Sequence, residues 1–328
     1  MKMAQALNGK LITVFGGSGF IGRHVIRILA ERGYSIRAAV RRPELAEHLQ
    51  PLGAVGQIMP VAASVRNKKS VERAVEGACA VINLVGILYE TGAQKFDSVQ
   101  AKGPGVVAEV CKEQGIDTFV HVSAIGADEN SPAVYAKTKA AGEKAVLEAM
   151  PNAVIFRPSI VFGPEDDFFN RFGSMAQLFP ALPLIGGGHT KFQPVYVGDV
   201  ALAIANAAEN KVETGKIYEL GGPQVATFKE CLQLMMNVIL RKRMLVSLPF
   251  LMARIQAKFL QMLPKPMLTV DQVNLLKSNN VVSKEAQAEK RTLEGLGIEP
   301  HSMEAILPTY LDKFRPRGQY DSQNATKS

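Results

Sequence analysis

Three side chains near the middle of the chain have the types and spacing needed for proton transfer: Ser123, Tyr135 and Lys139. Tyr135 and Lys139 are four residues apart, which on a helix places both on one face, a turn from each other. An ammonium beside a phenol favours the phenolate. The pairing therefore predicts a Tyr135 pKa below its ordinary value and an acid/base role near neutral pH. Ser123 closes the apolar run Thr118–Ser123, from where its hydroxyl would orient a carbonyl. A Tyr-x-x-x-Lys pattern alone is common, so its weight depends on what surrounds it.

The second group of residues points to a phosphate-bearing ligand. In Leu11-Ile-Thr-Val-Phe-Gly-Gly-Ser-Gly-Phe-Ile-Gly22 a β-branched apolar run meets a glycine cluster, and a helical pattern follows at once. Gly16, Gly19 and Gly22 are spaced G-x-x-G-x-x-G, close to the dinucleotide-binding fingerprint. The first glycine permits a tight turn, the second lets the backbone approach a pyrophosphate, and the third lets helix and strand pack closely. Ser18, Phe20 and Ile21 complete the loop, and the positive end of the next helix would face the phosphates. The competing reading is a glycine turn without a ligand. The order strand, glycines, helix favours the site.

About 20 residues past the glycines a site for NAD usually has an acidic residue for the ribose. This chain has Ala39-Val40-Arg41-Arg42-Pro43 there, with no carboxylate. Arginine holds phosphate in bidentate fashion, so the pair predicts NADP(H), with NAD the less favoured ligand; the alternative is a solvated basic strand end. In Asn83-Leu-Val85-Gly86 another glycine would let the backbone lie against the cofactor.

These residues must be positioned by elements. Apolar strand patterns at Leu11–Phe15, Ser35–Val40, Gln57–Val61, Ala80–Val85, Thr118–Ser123 and Ala153–Arg157 alternate with helical patterns. The helices are predicted at Gly22–Arg32, Ser70–Glu76, Phe96–Glu113 and Ala133–Met150. The alternation predicts an α/β fold of Rossmann type, a doubly wound parallel sheet covered by helices. Its ligand crevice then lies at the C-terminal strand ends. There are no internal repeats or low-complexity tracts.

Together the glycine loop, Ser123 and Tyr135-x-x-x-Lys139 resemble the short-chain dehydrogenase/reductase superfamily. Arg157-Pro158-Ser-Ile-Val-Phe-Gly163-Pro164, Val195-Tyr-Val-Gly-Asp199-Val-Ala and Leu220-Gly-Gly-Pro223 are similar to its extended and atypical branches, the NAD-dependent epimerase/dehydratase type. Five further stretches resemble the Rossmann-type accessory subunit of respiratory complex I (NADH:ubiquinone oxidoreductase) and its bacterial homologues. They are Val81–Gly86, Phe119–Ser123, Lys139–Lys144, Phe162–Asn170 and Lys191–Val197, and the similarity runs from about Leu11 to Phe314.

The resemblance implies a tightly held NADPH outside the electron-transfer chain, contacts with other complex I subunits, and a peripheral place near the membrane and quinone region. In a bacterium that is the cytoplasmic side of the inner membrane, and in an organelle the matrix face. It also implies that Pro158 and Ser159 lie beside the nicotinamide. Extended members usually have an Asp near the adenine where this chain reads Val61-Ala-Ala-Ser64, leaving Ser64 as a weak substitute. Ser123, Tyr135 and Lys139 are all present, which leaves an active NADP-dependent reductase, epimerase or dehydratase as the alternative.

The predicted organisation is an NADP-binding domain over 1–158, with 190–222 returning to it, a smaller, mostly helical lobe over 159–314, and a polar, disordered tail over 315–328. In the lobe, Glu165-Asp-Asp167 predicts a helix cap, and Thr227-Phe-Lys-Glu230 a capping box. The helix opened by that box is predicted to end at Arg241-Lys-Arg243, where cations suit the dipole. From Ser247 to about Leu263, Leu248, Met252, Ile255, Phe259 and Met262 recur at helical spacing, with Arg254, Lys258 and Gln261 on another face. With Lys265 this predicts either an interfacial helix on lipid or a hydrophobic partner, or else a core helix of the lobe.

The bulk composition agrees with a soluble globular chain. At 328 residues and a net charge of +8, the basic balance admits nucleic acid, an anionic membrane or an acidic protein partner. No basic stripe interleaved with aromatics supports nucleic acid. The three cysteines, Cys79, Cys111 and Cys231, lack metal-ligand spacing; no metal is expected, and all three read as buried thiols in a reducing compartment. No apolar run reaches the roughly 18 residues of a membrane span. No leader pattern precedes the first strand, so a cytoplasmic or processed organellar address is expected.

Overall fold

In the computed structural model, residues 9–263 and 266–318 are described; Lys265 and residues 319–328 lie outside them. β1 (Leu11–Phe15), β2 (Ser35–Val40), β3 (Ile58–Ala62), β4 (Ala80–Asn83), β5 (Thr118–Val122) and β6 (Val154–Pro158) form one sheet with the strand Ile217–Leu220. The spatial order is Ile217–Leu220, β6, β5, β4, β1, β2, β3, and every pairing is parallel. Strands buried on both faces explain runs such as Ile12–Phe15 and Val81–Ile82. The order reverses between β1 and β4, which is where an open parallel sheet leaves a crevice.

α1 (Phe20–Glu31), α2 (Lys68–Val75), α3 (Lys102–Glu113) and α4 (Val134–Ala149) link the strands. α1 buries Gly22, Val25, Ile26, Leu29 and Ala30, the spacing of a single helical stripe. The predicted helix Phe96–Glu113 opens instead with a π turn over Asp97–Ala101. A Cβ at Gly142 of α4 would stand 2.1 Å from the Gln100 carbonyl oxygen, so only glycine leaves room for this turn. We expect Gly142→Ala to lower stability by about 1–3 kcal/mol, the usual cost of overpacking, measured by urea unfolding.

The chain divides into two compact units. The first runs to Pro158 and takes back Gly198–Leu220, and Lys284–Ile298 also joins it. That second return covers an open sheet edge. Glu219 N–H donates to the Arg291 carbonyl and the Arg291 guanidinium donates to the Ile217 carbonyl, so edge groups of the last strand are paired. Cys111 is buried, but Cys79 is exposed, contrary to expectation. It stands just before β4 rather than within it.

The second unit comprises Ser159–Val197, Gly221–Ser283 and the chain from Glu299. Its core is a phenylalanine cluster in which Phe162, Phe168, Phe169, Phe172, Phe192 and Phe228 meet in edge-on or tilted contacts. Of the acidic triplet, Asp166 does the capping: its carboxylate accepts from Gly163 N–H, Asn170 N–H and the Tyr310 hydroxyl. Asp167, at the formal cap position, makes no side-chain cap bond.

The predicted capping box of Thr227 and Glu230 opens helix Phe228–Val238. No cation lies in that helix's last turn. Each arginine instead serves another segment's end: Arg243 Nε donates to Ala176 O, Arg241 Nε to Phe314 O, and Arg315 Nε to Val238 O. Arg315, expected to begin a disordered tail, is thus anchored; the part of that expectation over 319–328 lies outside the described residues.

Candidate functional site

Within the first unit a cleft of about 230 Å³ opens at the C-terminal ends of β1, β2, β3 and β4. Its lining includes seven of the expected residues: Gly16, Ser18, Gly19, Arg41, Ser64, Val85 and Gly86. Gly16 adopts φ +75°, and a Cβ there would stand 3.2 Å from the Leu84 carbonyl carbon, so the turn demands glycine twice over. Gly22 lies inside α1, and its Cβ would stand 2.5 Å from Gly17 O and 2.6 Å from Gly16 O. It shapes the cleft from behind.

Phe20 and Ile21 form the first turn of α1 and do not line the cleft. Phe20 packs edge-on against His24. Arg42 does not line it either, because the chain turns into a short helix at Pro43. A cation that sequence reasoning missed does: Arg66, whose Nη1 donates to the Ala93 carbonyl across the loop. It stands four residues past β3, on a loop with no spacing pattern, whereas Arg41 directly follows β2. Gln94 and Ile87 were missed as well, because they sit on a loop with no spacing pattern.

The loop after β4 is pinned by two buried amides. Asn83 Oδ1 accepts from Val85 N–H at 3.1 Å, and Gln100 Oε1 accepts from Ile87 N–H at 2.9 Å. Asn83 therefore takes a backbone donor that a longer strand would use, so β4 stops there instead of at Val85. The π turn carries Gln100, whose Nε2 continues to Thr138 Oγ1 on α4. Asn83 Nδ2 also lies 3.3 Å from His121 Nδ1 on the neighbouring strand. Burial, with Lys139 close by, holds His121 neutral, its pKa pushed down to about 3.

Lys139 is buried and donates to the Val122 carbonyl at 3.1 Å, immediately before Ser123. A Cβ at Gly86 would stand 3.3 Å from its Nζ, so Lys139 reaches the rim of the cleft. Burial lowers its pKa to about 8, against the opposing pull of Glu143. Ser123 is also buried, with Oγ making no hydrogen bond among the described residues. Ser123 and Tyr135 are not among the residues that line the cleft.

Tyr135 departs from expectation. Lys139 Nζ is 6.0 Å from the ring centroid and directs a hydrogen bond elsewhere, while Phe96 packs edge-on against the same ring. Burial dominates and pushes the phenol up to about 12. The predicted lowering does not occur, because desolvation outweighs an ammonium at that distance.

Pro158 ends β6, and its carbonyl accepts from Ile125 N–H. Ser159 belongs to the second unit, where its hydroxyl lies 2.7 Å from Asn280 Oδ1 and 2.9 Å from the Asn280 carbonyl. Behind the site Arg157 makes a two-pronged pair with buried Glu143, Nε to Oε1 at 2.9 Å and Nη2 to Oε2 at 2.6 Å.

Residues 13–223 match the 3-beta hydroxysteroid dehydrogenase/isomerase family. The chain is 36% identical to the NADH dehydrogenase [ubiquinone] 1 alpha subcomplex subunit 9 of Arabidopsis thaliana, over 96% of this chain and 80% of that protein. It is 33% identical to the Rattus norvegicus protein of the same name, over 92% and 79% respectively. Among solved structures, the NADPH-dependent quinone oxidoreductase of Escherichia coli complexed with NADPH aligns with a TM-score of 0.71 at 19% identity, over 92% of this chain and 98% of that one. That likeness is one of fold.

Proposed function

The chain belongs to the 3-beta hydroxysteroid dehydrogenase/isomerase family, and from that premise we propose that it is a nucleotide-holding accessory subunit of respiratory NADH:ubiquinone oxidoreductase. The observation that carries this reading is similarity running nearly end to end with proteins named as subunits of that enzyme. Its place would be peripheral, beside the membrane, on the cytoplasmic side in a bacterium or the matrix side in a mitochondrion. No helix among the described residues is long and apolar enough to cross a membrane.

The residues fit a nicotinamide dinucleotide. Gly16, Ser18 and Gly19 would meet the pyrophosphate, and Val85 and Gly86 would lie along it. Arg41 and Arg66 supply cations where a ribose phosphate would sit. NADPH is therefore favoured over NADH. Arg41→Ala should weaken NADPH binding roughly tenfold to a hundredfold, from one lost charge-assisted bond of about 1.5–3 kcal/mol, with NADH binding unchanged. Calorimetric titration with both nucleotides measures it.

Lys139 sets a pH dependence. Its pKa of about 8 lies below the free-lysine value, so its charge is lost as pH rises through 8. A bound anion needs that charge, and dinucleotide affinity should fall above pH 8 by at most about tenfold per unit. Lys139→Met should flatten the profile.

When bound, NADPH carries a transferable hydride. Tyr135 has a raised pKa and stays protonated across the neutral range, as a free phenol does, so it is a proton donor rather than a base there. The second reading, an active NADP-dependent reductase, epimerase or dehydratase, rests on Ser123, Tyr135 and Lys139 being present. Tyr135→Phe separates the two. We expect it to leave membrane NADH:quinone activity and nucleotide content unchanged, whereas loss of a defined reductase activity in that variant would favour the enzyme.

A further inference from the structure

The helix Phe250–Leu260 is packed the wrong way round for a core helix. It buries Ala253 and Ala257, which with Val273 and Ile185 form a small core. Its large apolar side chains point outward: Leu251, Met252, Ile255 and Phe259 are all more than half exposed, Phe259 at 71%, and Met262 just beyond is 82% exposed. At about 100° per residue these five share one arc of the helix. Arg254 and Lys258 fall between that arc and the buried alanines, at the edge of the apolar face. Monomers seldom leave such a contiguous surface to water.

Charge decides what covers it. From Cys231 to Val270 the chain contains six cations (Arg241, Lys242, Arg243, Arg254, Lys258 and Lys265) and no carboxylate. That segment supplies most of the net charge of +8. An apolar arc bordered by long cationic side chains matches the boundary between acyl chains and anionic headgroups, where the stems lie along the hydrocarbon and the charges reach the phosphates.

We propose that the arc Leu251, Met252, Ile255, Phe259 and Met262 seats the protein on an anionic lipid surface, with Arg254 and Lys258 meeting the phosphates. The surface is read from exposure and charge alone, so it stands or falls separately from the assembly proposed above.

The test is co-sedimentation of the purified full-length chain with phosphatidylcholine vesicles, with and without phosphatidylglycerol. The wild type should bind the anionic vesicles, more weakly at high salt, and bind neutral vesicles poorly. Ile255→Asp with Phe259→Asp should lower partitioning at least about tenfold through lost apolar burial alone. Arg254→Gln and Lys258→Gln should each lower it about fivefold. All are exposed positions, and an unchanged melting temperature and NADPH affinity confirm that the fold is retained.

No binding of the wild type to anionic vesicles at low salt overturns the proposal, as does undiminished binding of the double aspartate variant. Failure on vesicles combined with loss of respiratory-complex association in that variant would make the face a protein contact, which also overturns it. Vesicle binding by a chain that joins no complex supports the lipid surface and counts against the accessory-subunit reading.

Discussion

Gly22→Ala is expected to weaken dinucleotide binding more than a hundredfold. The added methyl would stand within 2.6 Å of two carbonyl oxygens, those of Gly17 and Gly16, which belong to the loop itself. The Gly16 carbonyl cannot yield without moving the turn, because Gly19 N–H donates to Gly16 O and Gly16 N–H to Ala39 O. The N-terminal amides of α1 then lose the alignment that would face a pyrophosphate. If the nucleotide is a permanent part, stability falls too: a ligand at 100 times its dissociation constant contributes about 2.7 kcal/mol. Nucleotide content after gel filtration and the melting temperature with and without added NADPH measure both effects.

The second large effect lies behind the cleft. Arg157→Leu should destabilise the first unit by about 3–5 kcal/mol, because it leaves the Glu143 carboxylate buried without its two-pronged partner. Replacing both residues by leucine should recover part of the loss, because the buried Glu143 charge goes with its partner while Glu219, 3.8 Å from Arg157, still loses a cation. The pair also touches function. Glu143 is one turn from Lys139 and opposes the fall in its pKa. Glu143→Leu in the double variant should therefore move the loss of nucleotide affinity to lower pH, measurable by the same titrations as for Lys139.

How far the sequence foretold these features depends on where the determining force acts. The β1–glycine–α1 unit was legible because local backbone needs dictate both the residue types and their spacing. The parallel sheet and the crevice at its C-terminal strand ends followed from the alternation of strand and helix patterns. The end of β4 was not legible, because a side chain, Asn83, replaces a ladder bond, and the π turn depends on Gly142, some forty residues away.

Arg66 escaped notice since a cation on a loop has no period, whereas Arg42 was expected at the cleft and is carried away by the turn at Pro43. Tyr135 illustrates a different gap. Spacing placed an ammonium beside the phenol, but only the packed structure reveals that Lys139 turns to Val122 and that burial wins. Periodicity likewise identified the amphipathic helix after Ser247 without saying which face is covered. Its small residues face inward and its large ones out, and Leu248 lies in the preceding strand Met244–Leu248.

If the glycine cleft holds NADPH as a lasting component of a respiratory assembly, chain, nucleotide and enzyme should purify together. The most direct measurement is recovery of the tagged chain from gently solubilised membranes, with mass spectrometry of the proteins and nucleotide that accompany it. Subunits of NADH:ubiquinone oxidoreductase together with NADPH in stoichiometric amount are expected. A chain recovered only as a nucleotide-free monomer, absent from that enzyme, would contradict this reading.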